Sequence, residues 1–523
     1  MYKTLSPKII NQKSSPEEIL DILLENRNIK DKENFLNPRL EEIKLPNIKK
    51  AVAIIQKSIK NKENILIYGD YDVDGITATA ILWRSLRKLG AQVLPFIPHR
   101  EIDGYGFKAK SFFRFQKQKN IKFDLLITVD NGILAQKEFQ KLNCKIIVTD
   151  HHLVGDKQPQ VDVLIHNTEL SGSGIAYFLA KSLDKNADIF LSALGTVADC
   201  LPLVGINRNL VFEGLRAVNK FMPTSLYQLF KEAKINKKEL SSYDLGFIIG
   251  PRINASGRLA DPTDSLRLLC SDNQEICSRY AKILNDHNSK RKNLQNIALE
   301  KCLEQIDHKD KLLFFAHESY LPGIIGLIAG KLCDKYYKPS IVIAKQKKYS
   351  KGSCRSIPEI NITQALRKFS HLFEDIGGHA QAAGFTIKTA NISKLKKEII
   401  PYINQKLSHK KLQPSLVTEA QMTIDAVKLA NIKAISKLEP FGMGNPRPIF
   451  VFKDINITDM RLIGANKEHL KFKFDNIDGL AFHQSDLFNK LKIGQTTTFI
   501  GYLDTNTWQD ITKPQIIISS VII

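Results

Sequence analysis

The sequence lacks the features that mark several large classes of protein. No apolar run approaches the about 20 residues that a membrane-spanning helix needs. The N-terminal segment MYKTLSPKIINQKSSPEE has no long apolar stretch and no small-residue cleavage site. The seven cysteines are scattered and never form a CxxC pair, which argues against a disulfide framework and a zinc ribbon. We therefore predict a cytoplasmic protein with reduced thiols and no membrane partner.

Acidic residues are scarce relative to basic ones. The chain of 523 residues has 76 Lys and Arg against 54 Asp and Glu, a formal net charge of +22. Such an excess suggests a polyanionic partner such as nucleic acid. An AT-rich genome, which favours lysine, explains the same excess, so charge alone leaves both explanations open.

One cluster of acids runs against this bulk charge. In the stretch YGDYDVDG, Asp70, Asp72 and Asp74 occupy every second position directly after an apolar run. Carboxylates this close repel one another unless a positive charge lies between them. They either point into water or hold a metal.

The region around this cluster alternates apolar strands with helices. The segments NILIYGD, DLLITVD, CKIIVTD and VDVLIHN have the short apolar runs of buried parallel strands, and helical stretches such as ATAILWRSLRKLG lie between them. This rhythm predicts an α/β fold with an open, doubly wound parallel sheet. Asp70, Asp130 and Asp150 each end a strand, and the carboxyl ends of such strands form ligand sites at one edge.

The rest of the chain divides into segments of different character. A long uninterrupted helical pattern precedes a second α/β unit, which contains the strand SIVIAK, a predicted turn at KGSCRS and the glycine-rich GGHAQAAGF. Short alternating strands then predict a small β-barrel of the OB type. The predicted domains are an N-terminal extension (1–45), the first α/β domain (46–270), a connecting helix (271–305), the second α/β domain (306–405) and the barrel (415–523).

The acids and histidines at the strand ends suit a metal centre. Carboxylates mixed with imidazole suit Mn²⁺, Mg²⁺ or Zn²⁺, and their number exceeds what one tetrahedral site needs. Two ions about 3.5–4 Å apart, sharing a carboxylate, would neutralise them. Each residue alone has a simpler explanation, since an Asp at a strand end often caps the next helix. Together they favour the metal centre, and its members are Asp70, Asp72, Asp74, Asp130, Asp150, His151, His152 and Asp199.

The order of the motifs resembles a known family. GDYDVDG, VDNG, TDHH and GTVADCLPL resemble the successive motifs of the DHH phosphoesterase superfamily, which is named after the tripeptide at residues 150–152. GPRINASGRLADP and GGHAQAAGF resemble further motifs of its RecJ branch, bacterial exonucleases specific for single-stranded DNA. The resemblance implies a DHH catalytic domain, a long connecting helix, a DHHA1-like substrate-binding domain and a C-terminal OB-fold nucleic-acid-binding domain.

The resemblance also implies a role for each matching position. Asp130 would bridge two divalent ions, Mn²⁺ or Mg²⁺, and Asp150 would orient a histidine. The implied metal ligands are Asp70, Asp72, Asp74, Asp130, His151 and Asp199. The implied catalytic residues are His152, Asp150, Arg252 and His379, and the implied substrate-binding residues are Arg100, Asn254, Ser353 and Arg355.

Three of these positions match a pocket for a terminal 5′ phosphate. Arginine forks pair bidentately with phosphate, and a serine hydroxyl completes such a cradle around Arg100, Ser353 and Arg355. Without the resemblance, KGSCRS would be interpreted as a polar turn. In the barrel, Phe452, Phe472, Phe474 and Trp508 are candidates for stacking on bases, although core positions explain Phe472 and Phe474 better.

The resemblance predicts a metal-dependent 5′-to-3′ exonuclease that degrades single-stranded DNA to mononucleotides in recombination and repair. It implies a monomer that works with single-stranded-DNA-binding protein and a RecQ-type helicase. One alternative is a DHH phosphodiesterase on short oligoribonucleotides or cyclic dinucleotides, but such chains usually lack a C-terminal barrel. The other is a non-catalytic replication scaffold, whose relatives lose the metal-site acids that this chain retains.

Overall fold

The computed structural model describes residues 2–41, 43–155 and 157–522. The strands are β1 (Tyr2–Thr4), β2 (Ile9–Ile10), β3 (Asn64–Tyr68), β4 (Gln92–Phe96), β5 (Leu125–Val129), β6 (Lys145–Asp150), β7 (Val163–His166), β8 (Leu313–His317), β9 (Ser340–Ala344), β10 (Tyr349–Arg355), β11 (Phe373–Gly378), β12 (Ala382–Lys388), β13 (Leu416–Thr418), β14 (Gln421–Met422), β15 (Phe450–Asn456), β16 (Asp459–Ile463), β17 (His469–Phe474), β18 (Ile477–Ala481), β19 (Thr496–Trp508) and β20 (Ile511–Ile522).

The helices are α1 (Pro16–Asn26), α2 (Lys32–Leu36), α3 (Ile48–Lys60), α4 (Val73–Lys88), α5 (Ala109–Lys119), α6 (Gln136–Phe139), α7 (Gly172–Lys181), α8 (Ile189–Ala198), α9 (Gly205–Lys220), α10 (Thr224–Glu232), α11 (Gly250–Leu259), α12 (Thr263–Leu269), α13 (Gln274–Leu303), α14 (Ile325–Tyr336), α15 (Ile362–Arg367), α16 (Ile392–Lys406) and α17 (Leu429–Ser436). A π-helical turn at Asp244–Ile249 leads directly into α11. Among the residues in these ranges, no helix has both the length and the apolar character that crossing a bilayer requires.

The first α/β unit is built on a parallel sheet of five strands in the order β4-β3-β5-β6-β7. Successive side chains of β3 enter different cores, with Ile65 and Ile67 on one face and Leu66 and Tyr68 on the other. Because both faces are buried, the strands are apolar throughout, and the prediction of a doubly wound sheet is confirmed. The sequence analysis does not identify β4, whose proline and half-exposed residues lie at the sheet edge.

A long helix connects the two α/β units. Helix α13 has 30 residues, and its Asn273 cap accepts hydrogen bonds from the backbone N–H groups of Glu275 and Ile276. Its buried positions recur at helical spacing and pack against α10, α11 and α12. The predicted connecting helix is therefore present.

The second α/β unit carries a mixed sheet in the order β11-β12-β10-β9-β8. The predicted turn at KGSCRS is wrong, because residues 349–355 form the strand β10. Gly352 and Cys354 point into the core, whereas Ser353 and Arg355 are half-buried on the opposite face. Gly352 leaves room for a ring, since a Cβ there would lie 2.1 Å from Phe385. The alternation is hidden in the sequence because small residues supply the buried positions.

The C-terminal sheet is mixed and has eight strands, in the order β16-β17-β18-β20-β19-β15-β14-β2. Strands β17 and β19 are three positions apart, which in a flat sheet would separate them by about 14 Å. The ring centroids of Phe474 on β17 and Phe499 on β19 are nevertheless 4.6 Å apart. The sheet therefore curls around an aromatic core, as the predicted OB-type barrel requires.

The aromatic candidates for base stacking in this sheet divide into two groups. Phe452, Phe472 and Phe474 are at most 1% exposed and lie in the core. Stacking by these three is therefore excluded. Trp508 at the end of β19 is 74% exposed and stays a candidate.

The N-terminal extension, whose role the sequence leaves open, is part of the C-terminal unit. Strand β1 pairs with β13 and β2 pairs with β14, across more than 400 residues of sequence. Arg27 and Glu419 form an ion pair of 2.7 Å with both side chains less than 10% exposed. Removing either partner of this buried pair would leave an uncompensated charge, so the two segments depend on each other at this point.

Candidate metal centre

The acids of the DYDVDG stretch surround the start of a helix rather than extending β3. Asp72 is the N-cap of α4 and accepts a hydrogen bond from the Gly75 backbone N–H at 3.0 Å. Asp74 lies in the first helical turn. A Cβ at Gly75 would come within 2.6 Å of the Asp70 backbone nitrogen, so glycine lets Asp70 lie against the helix start. The spacing thus places one acid before the helix, one at its cap and one inside it.

Asp74 is held by the N-terminus of another helix. Its Oδ2 accepts from the Gly172 backbone N–H at 2.6 Å, and its Oδ1 accepts from the Ser173 backbone N–H at 3.0 Å. Two of the free N–H groups at the start of α7 thus fix the orientation of both carboxylate oxygens. His151 Nε2 lies 3.9 Å from Asp74 Oδ2.

Asp130 lies at the centre of the cluster. It follows β5 with a φ of 60°, a left-handed conformation that is strained for a residue other than glycine. Its Oδ1 is 3.1 Å from His151 Nε2, which is in turn 3.6 Å from Asp199 Oδ2. Asp199 follows the last residue of α8. Four separate segments of the chain therefore meet at His151.

Asp150 and His152 form a linked pair beside this centre. Asp150 Oδ1 lies 2.8 Å from His152 Nδ1, and Asp150 Oδ2 accepts from the Ile133 backbone N–H. The other ring nitrogen of His152, Nε2, lies 2.9 Å from the Tyr105 hydroxyl. Burial lowers the pKa of His152, but the hydrogen bond and charge of Asp150 outweigh it and raise that pKa to about 9. The ring is thus oriented from both sides and favours its protonated form.

The carboxylates of the cluster repel one another. Burial, followed by the charge of Asp72, raises the pKa of Asp70 to about 8. Burial and the charge of Asp74 raise the pKa of Asp199 to about 8 and that of Asp130 well above its usual range. Ionised carboxylates in such surroundings need a compensating positive charge.

The donor set fits divalent cations. Ligand atoms lie within 4.8 Å of one another in three groups, which are Asp70/Asp72/Asp130, Asp74/His151/Asp199 and Asp130/His151/His152. Asp130 belongs to two of them, and its buried Oδ1 accepts no hydrogen bond in the described parts of the chain. Burial lowers the pKa of His151, which favours the neutral ring that a metal needs. Carboxylate oxygens with one or two imidazole nitrogens suit Mn²⁺ and Mg²⁺.

A cluster of arginines lies beside the acids. The Arg100 guanidinium lies over the Tyr71 ring at 5.5 Å, and Arg258 Nη1 donates to the Gly323 carbonyl at 2.9 Å. Burial, together with the charges of Arg100 and Arg291, lowers the pKa of Arg258 to about 10. Within the described ranges, Arg100, Arg258 and Arg355 form no salt bridge with a carboxylate.

Ser353 and Arg355 complete this cluster from the second α/β unit. A Cβ at Gly326, in the first turn of α14, would lie 3.1 Å from Ser353 Oγ and 3.6 Å from Arg355 Nη2. Gly326 therefore lets the first turn of α14 pack closely against these two side chains. The charges of Arg100, Arg291 and Arg355 all act on Arg258, so these four side chains lie near one another. Together with Ser353, we call them the arginine-rich cleft.

The remaining predicted residues have different surroundings. Arg252 is buried and donates to Asn285 Oδ1 and to the Ile248 carbonyl. Asn254 lines a cleft of about 110 Å³ together with Arg258 and Arg291. His379 is exposed on the turn between β11 and β12 and, among the described residues, has no contact with the acid cluster. Its catalytic role stays a prediction.

The sequence analysis missed Tyr105, Arg258 and Arg291. Tyr105 stands between Gly104 and Gly106, both with positive φ, so the GYG triplet was an available signal. Arg258 follows Asn254 by four residues, which places both on one helix face. Arg291 gave no signal, because it lies in the charged stretch NSKRKN of α13, where lysines and arginines usually face solvent.

Comparison with known proteins supports the family that the order of the motifs indicates. Residues 64–206 match the family model of the DHH family, N-terminal domain, residues 309–405 match the DHHA1 domain, and residues 418–520 match the RecJ OB domain. The single-stranded-DNA-specific exonuclease RecJ of Thermus thermophilus is 31% identical, over 92% of this chain and 72% of its own length. The RecJ of Bacillus subtilis is also 31% identical, over 91% of this chain, which spans 64% of that relative's length.

Solved structures agree with this similarity. The crystal structure of RecJ in complex with Mn²⁺ from Thermus thermophilus has a TM-score of 0.85 and 27% identity, and covers 97% of this chain and 76% of that one. A crystal structure of exonuclease RecJ bound to manganese has a TM-score of 0.62 and 31% identity, and covers 72% of this chain and 99% of that one. The resemblance inferred from the motifs is confirmed, and the chain belongs to the RecJ family of single-stranded-DNA-specific exonucleases.

Proposed function

We propose that this chain is a metal-dependent exonuclease that degrades single-stranded DNA from its 5′ end to mononucleotides, in recombination and repair. The observation that carries the proposal is the proximity of two oppositely charged clusters, the acids around Asp130 and the arginines around Arg258, since the charge of Asp72 acts on Arg258. The acids would hold the cations that act on a phosphodiester, and the arginines beside them would bind the charged phosphate at the end of the strand. The similarity to RecJ exonucleases supports the choice of substrate.

The acid cluster would hold two divalent cations, Mn²⁺ or Mg²⁺. Asp130 would lie between them, since it belongs to two of the ligand groups and its Oδ1 accepts no hydrogen bond in the described residues. The proposed ligands are Asp70, Asp72, Asp74, Asp130, His151 and Asp199. When bound, such ions lower the pKa of a coordinated water and stabilise charge on the phosphate.

The linked pair of Asp150 and His152 would act on the phosphate itself. With Nδ1 bonded to Asp150 and a raised pKa, His152 presents a positive N–H at Nε2, towards the Tyr105 hydroxyl. This N–H is suited to donate to a phosphate oxygen whose charge increases in the transition state. Tyr105 would set the ring angle until substrate arrives.

The arginine-rich cleft would bind the terminal 5′ phosphate. Arg100, Arg258 and Arg355 supply planar forks that match phosphate oxygens, and Ser353 adds a hydroxyl donor. Binding the strand end here would place the first phosphodiester near the acid cluster, and the enzyme would then remove one nucleotide at a time. Arg252 and Asn254 would line the path of the strand.

The test is digestion of end-labelled oligonucleotides, single-stranded and duplex, with Mn²⁺, Mg²⁺, Zn²⁺ or Ca²⁺ in turn. We expect mononucleotides from single strands with a 5′ phosphate in Mn²⁺ or Mg²⁺. Cleavage of dinucleotides alone would favour the phosphodiesterase of short oligoribonucleotides or cyclic dinucleotides. Absence of cleavage with no bound metal would favour the non-catalytic replication scaffold.

The partners implied by the resemblance belong to the same proposal. They are single-stranded-DNA-binding protein and a RecQ-type helicase, with this chain as a monomer. Light scattering during size-exclusion chromatography tests the monomer. Co-elution with purified single-stranded-DNA-binding protein or helicase tests each partner separately.

A further inference from the structure

The last turn of α11 packs directly against the loop that carries two of the acids. Tyr71 stands between Asp70 and Asp72 in this loop. A Cβ at Gly257 of α11 would lie 2.5 Å from the Tyr71 carbonyl oxygen. That is roughly 1 Å closer than two unbonded atoms normally approach. The backbone of α11 therefore lies against the backbone of the metal centre, with no side chain between them.

The same turn packs just as closely against the second α/β unit. A Cβ at Gly323, two residues before α14, would lie 2.3 Å from the Arg258 carbonyl oxygen. Arg258 Nη1 in turn donates to the Gly323 carbonyl at 2.9 Å. The next residue, Leu259, packs against the core of the second unit that includes Ile324. The end of α11 thus lies between the two units and contacts both.

These contacts continue to the arginine-rich cleft. The first turn of α14 packs against β10, where a Cβ at Gly326 would lie 3.1 Å from Ser353 Oγ and 3.6 Å from Arg355 Nη2. The acid-bearing loop, the end of α11, the start of α14 and β10 therefore form a continuous series of layers. At Gly257 and Gly323 the layers meet backbone to backbone, so an added methyl group cannot be absorbed by a change of side-chain rotamer.

We propose that Gly257 and Gly323 are positioning residues that set the separation between the metal centre and the arginine-rich cleft. This rests on the proposed function, in which the cleft holds the terminal 5′ phosphate while the ions act on the first phosphodiester. A strand end anchored in the cleft reaches the ions correctly only when that separation matches one nucleotide. A misplacement of about 1 Å can cost about a hundredfold in rate, so the two glycines control cleavage of anchored strands.

The experiment measures steady-state cleavage in Mn²⁺ of two single strands that differ only in a 5′ phosphate or a 5′ hydroxyl. Gly323→Ala should lower kcat for the phosphorylated strand by about tenfold to a hundredfold, with KM changed by less than about twofold. The hydroxyl strand is not anchored in the cleft, so its kcat should fall by less than about threefold. The affinity for Mn²⁺, measured by titration, should be that of the wild type.

Two further variants approach the same contact from other directions. Gly257→Ala adds the methyl group on the side of the metal centre and should show the same selective loss on the phosphorylated strand. Leu259→Ala adds no bulk but removes the packing of α11 against the second unit. It should lower kcat for the phosphorylated strand by at least about threefold more than for the hydroxyl strand. This variant decides the question if either alanine replacement of a glycine fails to fold.

Matched glycine variants separate positioning from loss of stability. Gly330→Ala places a Cβ in α14 with its nearest neighbour 4.0 Å away and should behave like the wild type. Gly501→Ala places a Cβ 2.3 Å from the Ile517 carbonyl oxygen in the C-terminal sheet, and should lower the melting temperature without changing the ratio of the two kcat values.

Three results would overturn the positioning role of the glycines. They are an unchanged kcat in Gly323→Ala, equal falls on both strands, and the same selective loss in Gly501→Ala. A wild type that cleaves neither strand, or cleaves both equally well, would instead overturn the proposed function.

Discussion

The acid cluster and the arginine-rich cleft lie beside each other but are built in different ways. Asp70, Asp130 and Asp150 come from the carboxyl ends of parallel strands, where the backbone directs them to one edge. The start of α4 and the end of α8 add Asp74 and Asp199. The arginines come from a loop, two helices and an antiparallel strand of both α/β units. The acids repel one another and would be stabilised by divalent cations, whereas the arginines repel one another and would be stabilised by an anion. In the proposed function, the cofactor supplies the cations on one side and the 5′ phosphate of the substrate supplies the anion on the other.

The largest expected effect is the loss of cleavage when a carboxylate of the acid cluster is replaced. Asp130→Asn keeps the size of the side chain but removes the charge that two ions would share. We expect cleavage of 5′-phosphorylated single strands in Mn²⁺ to fall by at least about a hundredfold, because bound ions supply several kcal/mol of charge stabilisation. DNA binding should change by less than about threefold.

The matched control for this variant is Asp486→Asn, whose carboxylate is 68% exposed and paired with Lys490 on the surface. It should cleave like the wild type. Near-normal cleavage by Asp130→Asn would remove the acid cluster from the mechanism.

The second effect concerns the arginine side alone. Arg258→Met and Arg355→Ala each remove a guanidinium from the cleft and should reduce the preference for a 5′-phosphorylated end over a 5′-hydroxyl end. Loss of one charge-assisted contact predicts about a tenfold to hundredfold change. Competition between the two kinds of oligonucleotide measures it, with Arg216→Met, an exposed arginine, as the control. An unchanged preference would reject the phosphate pocket.

The third prediction concerns the acid cluster and the pH dependence of the stability of the metal-free protein. The pKa values of Asp70 and Asp199 rise from 3.8 unfolded to about 8 folded, so the folded state holds protons that the unfolded state releases. Stability of the metal-free protein should therefore fall as pH rises from about 4 to about 8. The melting temperature should fall by several degrees over this pH range, and excess Mn²⁺ should abolish the fall. A melting temperature that does not depend on pH in EDTA would contradict the mutual repulsion of the carboxylates in the acid cluster.

The smallest effect concerns the group between the clusters. Tyr105→Phe removes the hydroxyl 2.9 Å from His152 Nε2. Loss of one ordinary hydrogen bond predicts about a twofold to tenfold fall in kcat, with metal affinity unchanged. Tyr227→Phe, an exposed tyrosine elsewhere, serves as the control. An equal fall in both variants would deny Tyr105 a positioning role.

The same contrast explains what the sequence could predict. The acids at the strand ends can be predicted because buried strands are visible in the sequence as apolar runs. In a parallel sheet the carboxyl ends of those strands meet at one edge, regardless of how the other side chains pack. The arginine-rich cleft depends on how α11, α13 and β10 pack, so Arg258 and Arg291 were missed. The sequence of β10 predicts a turn rather than a strand because its buried positions, Ser350, Gly352 and Cys354, give no apolar alternation.

Long-range pairing set the other limit on prediction. Strands β1 and β2 have three and two residues and pair with partners more than 400 positions away. Segments this short carry no periodic signal. The role of residues 1–45 was therefore open until the pairing was known.

The most direct measurement asks whether the acid cluster of the purified chain holds two divalent cations. Anomalous diffraction from crystals grown with Mn²⁺ would locate each ion and count it. We expect two ions, one on either side of Asp130, and we expect both to be lost in Asp130→Asn. A well-ordered acid cluster that holds no ion at saturating Mn²⁺, or ions bound only elsewhere, would contradict it.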